Sequence, residues 1–181
     1  VTDIVLLEEL SSHQRDEAAE VLRSALAPIS PAYREIEAAK AEVHSFLSTP
    51  ERFGLAAIED RRVVGWIGAI RTYDHGWELH PLCVHPDSQR RDLGTALVRA
   101  LESAARRENI LTLYVGADDE IGATNVFGVD VLENVGSHIR SLEGKPPHPI
   151  GFYRKMGFVV VGLMPDVNGV GKPDILLAKR I

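Results

Sequence analysis

The stretch Leu79–Ala100, LHPLCVHPDSQRRDLGTALVRA, decides the fold. It opens as an apolar run of strand character, Leu79 to Val84, and breaks at His85-Pro86-Asp87. A basic turn follows, Gln89-Arg90-Arg91-Asp92-Leu93-Gly94, and then Leu93, Ala96, Leu97 and Ala100 recur at helical spacing. One face of that helix therefore packs on a sheet. A strand, a loop and a helix N-terminus in this order can hold a phosphate. The first helical amides lack an internal acceptor, and the helix dipole is positive at that end. Arg90 and Arg91 place charge where an anion would sit. The plainer alternative is a strand-to-helix turn with two solvated arginines. The stretch is not a Walker loop, because no Gly-Lys-Ser/Thr follows, and it lacks the three spaced glycines of a dinucleotide fingerprint.

Working outward toward the N-terminus, Trp77 to Val84 reads as one strand with Pro81 in its middle. Proline cannot donate to a ladder, so a bulge or a local splay is expected there. Phe53–Glu59 and Val63–Arg71 read as two further strands, joined by a hairpin turn at Asp60-Arg61-Arg62. Gly65 and Gly68 inside the second predict close approach of another backbone. Before them lie a short buried strand at Ile4-Val5-Leu6-Leu7 and two helices. The first, Gln14–Leu26, has Ala18, Val21, Leu22 and Ala25 on one face. The second, Tyr33–Leu47, has the stripe Ile36, Ala39, Val43 and Leu47, and its Glu35, Glu37 and Glu42 read as a solvated face.

Toward the C-terminus the helix runs from Thr95 to Arg107, and Ile110–Val115 alternates as a strand. The short connection predicts that this strand runs parallel to the Trp77 strand in a right-handed crossover. Residues 116–150 show no strong period, apart from a short helix expected near Val131 to Leu142. A connection this long is functional or disordered. It ends at Pro146-Pro147-His148-Pro149. A short helix from Phe152 to Met156, stopped by Gly157, leads into strands at Phe158–Leu163 and Asp174–Ala178. The order β-α-α-β-β-β-α-β-loop-α-β-β describes an α/β protein, a mixed sheet with helices on both faces.

The 181 residues suit a single domain spanning 1–181. A formal charge of −6 disfavours nucleic acid and points toward a cationic small-molecule partner. Cys83 is the only cysteine, so no internal disulfide forms, and its place in an apolar run favours packing over reactivity. No apolar run has the length of a membrane span, and no basic-then-apolar leader opens the chain, so a cytoplasmic protein without a membrane partner is expected.

These residues also carry a resemblance. Val84-His85-Pro86-Asp87-Ser88-Gln89-Arg90-Arg91-Asp92-Leu93-Gly94-Thr95-Ala96-Leu97 resembles the acyl-CoA signature of the GNAT superfamily of N-acyltransferases. Phe152-Tyr153-Arg154-Lys155-Met156-Gly157-Phe158 resembles its second signature. The two in this order are far more specific than either alone. Asp92 departs from the pattern, standing where the first motif usually has glycine, and Pro146 stands where the family often has asparagine. A narrower resemblance is to aminoglycoside 6'-N-acetyltransferases. It rests on Trp77–Leu82, Gly116–Glu120 and the loop after it, His148-Pro149, Pro165–Gly169 and Gly171–Asp174.

The resemblance implies a GNAT-like, mostly antiparallel sheet with a splayed parallel pair of central strands. It also implies acetyl-CoA as acetyl donor, with no metal, and a cationic small-molecule amine as acceptor. Backbone at Leu82, Cys83 and Val84 would pair with the pantetheine arm, and Gln89, Arg90, Arg91, Asp92, Leu93, Gly94 and Thr95 would receive the pyrophosphate. Glu78 stands where some members carry a carboxylate base, and base, ammonium anchor or structural salt bridge stay open. His80 is counted among the acceptor contacts and is either a hydrogen-bonded strand residue or a base, and Tyr153 is either the general acid for the CoA sulfur or an orienting group. Asp118, Asp119 and Glu120, with Asp174, are the candidates to line an acidic substrate loop at about 116–150, the alternative being a solvated loop. A homodimer is common in the family. Rival readings are transfer to a polyamine, another small amine or a protein N-terminus, and a non-catalytic acyl-CoA-binding regulatory domain. Retention of Glu78 and Tyr153 argues against the last.

Overall fold

The computed structural model describes residues 2–181. Two compact units are present: the chain up to Leu111 together with Ile181, and Thr112–Arg180. Among the described residues no helix is long and apolar enough to cross a membrane.

The first unit holds β1 (Asp3–Leu6), α1 (Ser12–Leu26), α2 (Ile36–Ser48), β2 (Arg52–Glu59), β3 (Arg62–Tyr73), β4 (Gly76–Val84) and α3 (Leu93–Arg107). Strands β1 to β4 pair in sequence order, all antiparallel. The β2–β3 turn has two residues, Asp60 and Arg61, both at positive φ (48° and 66°). That is the turn geometry whose twist matches the flanking strands. Helix α1 starts two residues before its first expected position because Ser11 and Gln14 form a reciprocal capping box. Its Ala18, Ala19, Val21 and Leu22 form one core cluster with Ala39, Val43 and Phe46 of α2 and Ala56, Val63, Trp66 and Cys83 of the sheet. Trp66 is fixed there twice. Its indole N–H donates to the Ala18 carbonyl at 3.0 Å, and its ring meets Phe46 edge-on at 5.4 Å.

The irregularity expected at Pro81 is a bulge. Ile67 pairs with Leu82 and Ala69 with Leu79, so His80 and Pro81 both stand opposite Gly68. The His80–Pro81 peptide is cis. Both strand glycines admit backbone, as their positions predict. A Cβ on Gly65 would lie 3.0 Å from the Cys83 carbonyl oxygen. One on Gly68 would run into the His80 carbonyl and come within 2.6 Å of Cζ of Phe46. Glycine at 68 is what lets the bulge and α2 approach the same point on β3.

The second unit holds β5 (Thr112–Asp118), α4 (Val135–Arg140), α5 (Ile150–Lys155), β6 (Val159–Met164) and β7 (Asp174–Arg180). Strand β7 lies between β5 and β6 and is antiparallel to both. Residues 116–150 are more ordered than their lack of periodicity suggests. Thr124 and Gly144 form an isolated bridge, and the Lys145 amide donates to the Ala123 carbonyl. The Asn125 side chain donates to the Ser141 carbonyl and accepts from the Glu143 amide. Order here comes from single polar side chains that satisfy backbone groups, a signal that hydrophobic spacing does not carry.

Candidate functional site

Burial along β4 alternates. Trp77, Leu79, Pro81 and Cys83 are buried, whereas Glu78, His80, Leu82 and Val84 are partly open. The bulge therefore leaves Glu78 and His80 on one side of the strand, as alternation predicts. Cys83 faces the core, its thiol donating to the Trp66 carbonyl at 3.6 Å, and burial pushes that thiol well up. It is no nucleophile, and what it offers a ligand is backbone.

His80 is part of a cluster. Its Nε2 lies 3.4 Å from Oε1 of Glu42 and 3.4 Å from the Tyr33 hydroxyl. The same Glu42 oxygen accepts from Arg52 Nη1 at 2.6 Å. The hydrogen bond from His80 and then the Arg52 guanidinium hold the Glu42 carboxyl below the usual carboxylate range, against the opposing effect of burial. Burial, with the Glu42 charge beside it, pushes the Tyr33 phenol up to about 12. Arg52 in turn lies 4.8 Å over the Phe46 ring. The expectation that Glu35, Glu37 and Glu42 share a solvated face is thus corrected for Glu42, whose side chain is only 18% exposed. The signal was present in the spacing. Glu42 follows Ala39 by three residues and precedes Phe46 by four, which places a carboxylate on the buried stripe.

After β4 the chain makes a 3-10 turn at Pro86–Ser88, where the Asp87 amide donates to Nδ1 of His85 at 3.3 Å. Gln89 donates to the Val84 carbonyl at 3.1 Å, closing the turn onto the strand. Arg90 and Asp92 both sit at φ 60°. Asp92 precedes α3 in the left-handed region and its side chain makes no capping bond. The first backbone bond into the helix is from Ala96 to the Asp92 carbonyl, so the amides of Leu93, Gly94 and Thr95 have no intrahelical acceptor. An uncapped N-terminus on a 15-residue helix, preceded in the chain by Gln89 and Arg90, fits a phosphate. The guanidinium of Arg91 is drawn to Oε2 of Glu59 at 2.9 Å. Of the two arginines, then, one is tied to the end of β2.

In the second unit Asp118 and Asp174 are direct cross-strand partners on β5 and β7. Gly116 leaves room for this arrangement, since a Cβ there would lie 2.6 Å from Oδ2 of Asp174. Asn168 donates to Oδ1 of Asp118. Asp119 does not join them. It is fully buried and accepts from the amides of Ile121 (3.3 Å), Ala123 (2.9 Å) and Thr124 (2.7 Å) and from the Thr124 hydroxyl (2.7 Å). Burial would raise its pKa, but these hydrogen bonds together hold it below the usual range. The expectation that Asp119 lines an acceptor site is corrected. As β5 ends, the next side chain turns to the opposite side and both its oxygens are spent on the loop. Glu120 is half-buried at the start of that loop.

Tyr153 lies in α5 with its ring edge-on to Phe152 (5.3 Å) and Phe158 (5.5 Å), and burial pushes its phenol well up. It keeps its proton throughout the neutral range. Just before α5, buried His148 bridges two elements. Its Nδ1 accepts from the Ile150 amide at 3.2 Å, so Nε2 is the protonated nitrogen and donates to the Ala117 carbonyl at 3.2 Å. Burial lowers the His148 pKa. In the sequence His148 stands in the proline-rich end of the loop and in the narrower resemblance, and neither assigns it a role.

The sequence profile of the Acetyltransferase (GNAT) family matches residues 18–128. The chain belongs to the GNAT acetyltransferase family. The matched span contains the first signature, whereas Phe152–Phe158 lies beyond it. Solved structures extend the likeness. An aminoglycoside 6'-N-acetyltransferase complexed with coenzyme A has a TM-score of 0.89 and 32% identity, over 98% of this chain and 96% of that one. The aminoglycoside 6'-N-acetyltransferase from Enterococcus faecium has a TM-score of 0.86 and 32% identity over the same shares. An aminoglycoside 6'-acetyltransferase type Ii has a TM-score of 0.72 and 29% identity, over 99% of this chain and 96% of that one. No match is found among curated proteins. The mixed α/β fold expected from the sequence is thus the GNAT fold.

Proposed function

We propose that this GNAT acetyltransferase moves the acetyl group of acetyl-CoA to an amine of a small cationic acceptor, the 6'-amine of an aminoglycoside. The observation that carries this reading is 32% identity, over almost the full length of both chains, to an aminoglycoside 6'-N-acetyltransferase complexed with coenzyme A. Acetyl-CoA supplies an activated thioester. The α3 N-terminus with Gln89 and Arg90 holds its pyrophosphate, and the backbone of Leu82, Cys83 and Val84 pairs with the extended arm as an added strand. An amide of that segment polarises the thioester carbonyl.

Glu78 takes the proton that the acceptor ammonium must lose before its nitrogen attacks, directly or through water. Tyr153, buried and protonated across the neutral range, returns a proton to the departing sulfur. Asp118 and Asp174, with Glu120, attract and orient the remaining ammonium groups of a polycation. A compact acidic pair suits an acceptor with several positive charges better than a single neutral amine.

The test is thiol release from acetyl-CoA with kanamycin, tobramycin, gentamicin, spermidine and short peptides, with mass spectra of the products. Turnover of kanamycin-type drugs with the acetyl group on the 6'-nitrogen is expected. Turnover of spermidine or a peptide alone would keep the chemistry and remove the antibiotic. Glu78→Gln and Tyr153→Phe are each expected to lower kcat, by roughly 10²–10⁴-fold if they are the proton-transfer groups. Unchanged kcat in both would overturn those roles.

A further inference from the structure

Glu42, Arg52 and Tyr33 have no part in the roles described so far, yet they surround His80, a candidate acceptor contact two residues from Glu78 along the open side of β4. Glu42 stays ionised beside Arg52 and His80, and an ionised carboxylate only accepts hydrogen bonds. Nε2 of His80, which faces it at 3.4 Å, therefore carries the ring's proton. The Tyr33 oxygen, 3.4 Å from the same nitrogen, can then only accept from it. In the neutral ring this leaves Nδ1 as a lone pair, and among the described residues nothing hydrogen-bonds to it. The His80 side chain is 38% exposed, so the ring is reachable.

We propose that Glu42 is a positioning residue of the acceptor site: it fixes His80 with the proton on Nε2, so that Nδ1 accepts an N–H of the incoming amine beside Glu78. An ammonium has three N–H donors and needs more than one acceptor to be oriented. Glu78 meets one and Nδ1 meets a second. An imidazole with its proton on Nδ1, or on both nitrogens, would point a donor at a cation instead. Arg52 keeps Glu42 ionised and is itself steadied on the Phe46 ring. This inference rests on the acetyltransferase reading above, and it adds a residue from α2 behind the acceptor contacts that β4 supplies.

A double-mutant cycle on the full chain tests it. With tobramycin as acceptor, Glu42→Gln and His80→Gln are each expected to raise the acceptor KM about tenfold, the weight of one hydrogen bond to a charged group. The acetyl-CoA KM is expected to stay unchanged. The double variant is expected to be no worse than His80→Gln alone, because Glu42 acts through His80. A role that Glu42 exerts through Arg52 and not through His80 predicts a different result. Glu42→Gln would then cost as much in the His80→Gln background as in the wild type, and that outcome overturns the proposal.

Imidazole ¹⁵N spectra give a readout that needs no turnover. Wild type is expected to show His80 with Nδ1 at an unprotonated shift, moving when tobramycin or spermidine is added, and with less movement in Glu42→Gln. A protonated Nδ1 in wild type, or no response to either amine, overturns it. If no aminoglycoside is acetylated but His80 Nδ1 responds to spermidine, the antibiotic reading fails and this one stands.

Discussion

Asp92 holds a backbone conformation that disfavours a side chain, φ 60° and ψ 10°, in the turn before α3 that we propose receives the pyrophosphate. Glycine would relieve about 1 kcal/mol of left-handed strain and remove a carboxylate from that proposed site. Asp92→Gly is therefore expected to lower the acetyl-CoA KM several-fold without lowering Tm, read from kinetics at varied acetyl-CoA and from a thermal melt. Asp119 carries the opposite lesson. Its carboxylate satisfies three amides and a hydroxyl in a buried site, so Asp119→Ala strands several donors. A loss of about 3 kcal/mol is expected, a Tm drop of roughly 6–12 °C for a chain of this size. A drop of less than about 2 °C would show that the loop does not depend on it. At this scale residue types are legible along the chain, but their partners are not. Asp118 and Asp119 are neighbours in the chain, yet one pairs across a strand ladder with Asp174 while the other is buried in its own loop.

Helix α5 has six residues, too few to be stable alone, and its place depends on what holds its start. His148 supplies that hold by accepting from the Ile150 amide while donating to the Ala117 carbonyl at the end of β5. It can do both only as a neutral ring. Burial lowers its pKa in the folded chain from an ordinary value of 6.5, so the unfolded chain takes up the proton more readily. Its contribution to stability is complete above about pH 6.5 and is lost as pH falls through the lower folded value. Melts between pH 8 and pH 5 are expected to show Tm falling below about 6.5, with a shallower fall in His148→Gln. Equal slopes would remove His148 as the cause. Most elements, in contrast, were legible without the structure. Short apolar runs and a hairpin turn marked β2, β3 and β4, alternation marked β5, helical spacing marked α1 to α3, and Pro81 marked its bulge, because each pattern reports local backbone geometry. Residues 116–150 were not legible, since their order rests on Asp119, Asn125 and His148 reaching particular backbone groups.

For the molecule as a whole, the formal charge of −6 gives a weak field that favours cations, and the facing pair Asp118 and Asp174 concentrates it. Asp118→Asn and Asp174→Asn are each expected to raise the KM of a polycationic aminoglycoside two- to fivefold at low ionic strength, and less at high salt, where surface charge is screened. A singly charged amine is expected to be almost unaffected. Equal effects on both acceptors would mean that the pair serves the fold alone. By itself the sequence determined the family, the order of elements, the turn before α3 and the positions of Glu78 and Tyr153, because signatures and periodicity are local and contiguous. Only the tertiary structure decided that Glu42 from α2 and Arg52 from β2 meet His80 on β4, that Arg91 is tied to Glu59, and that Asp119 is withdrawn from the acidic group. A polar contact depends on where distant elements place two atoms in space and on how little water remains between them, and spacing along the chain encodes neither.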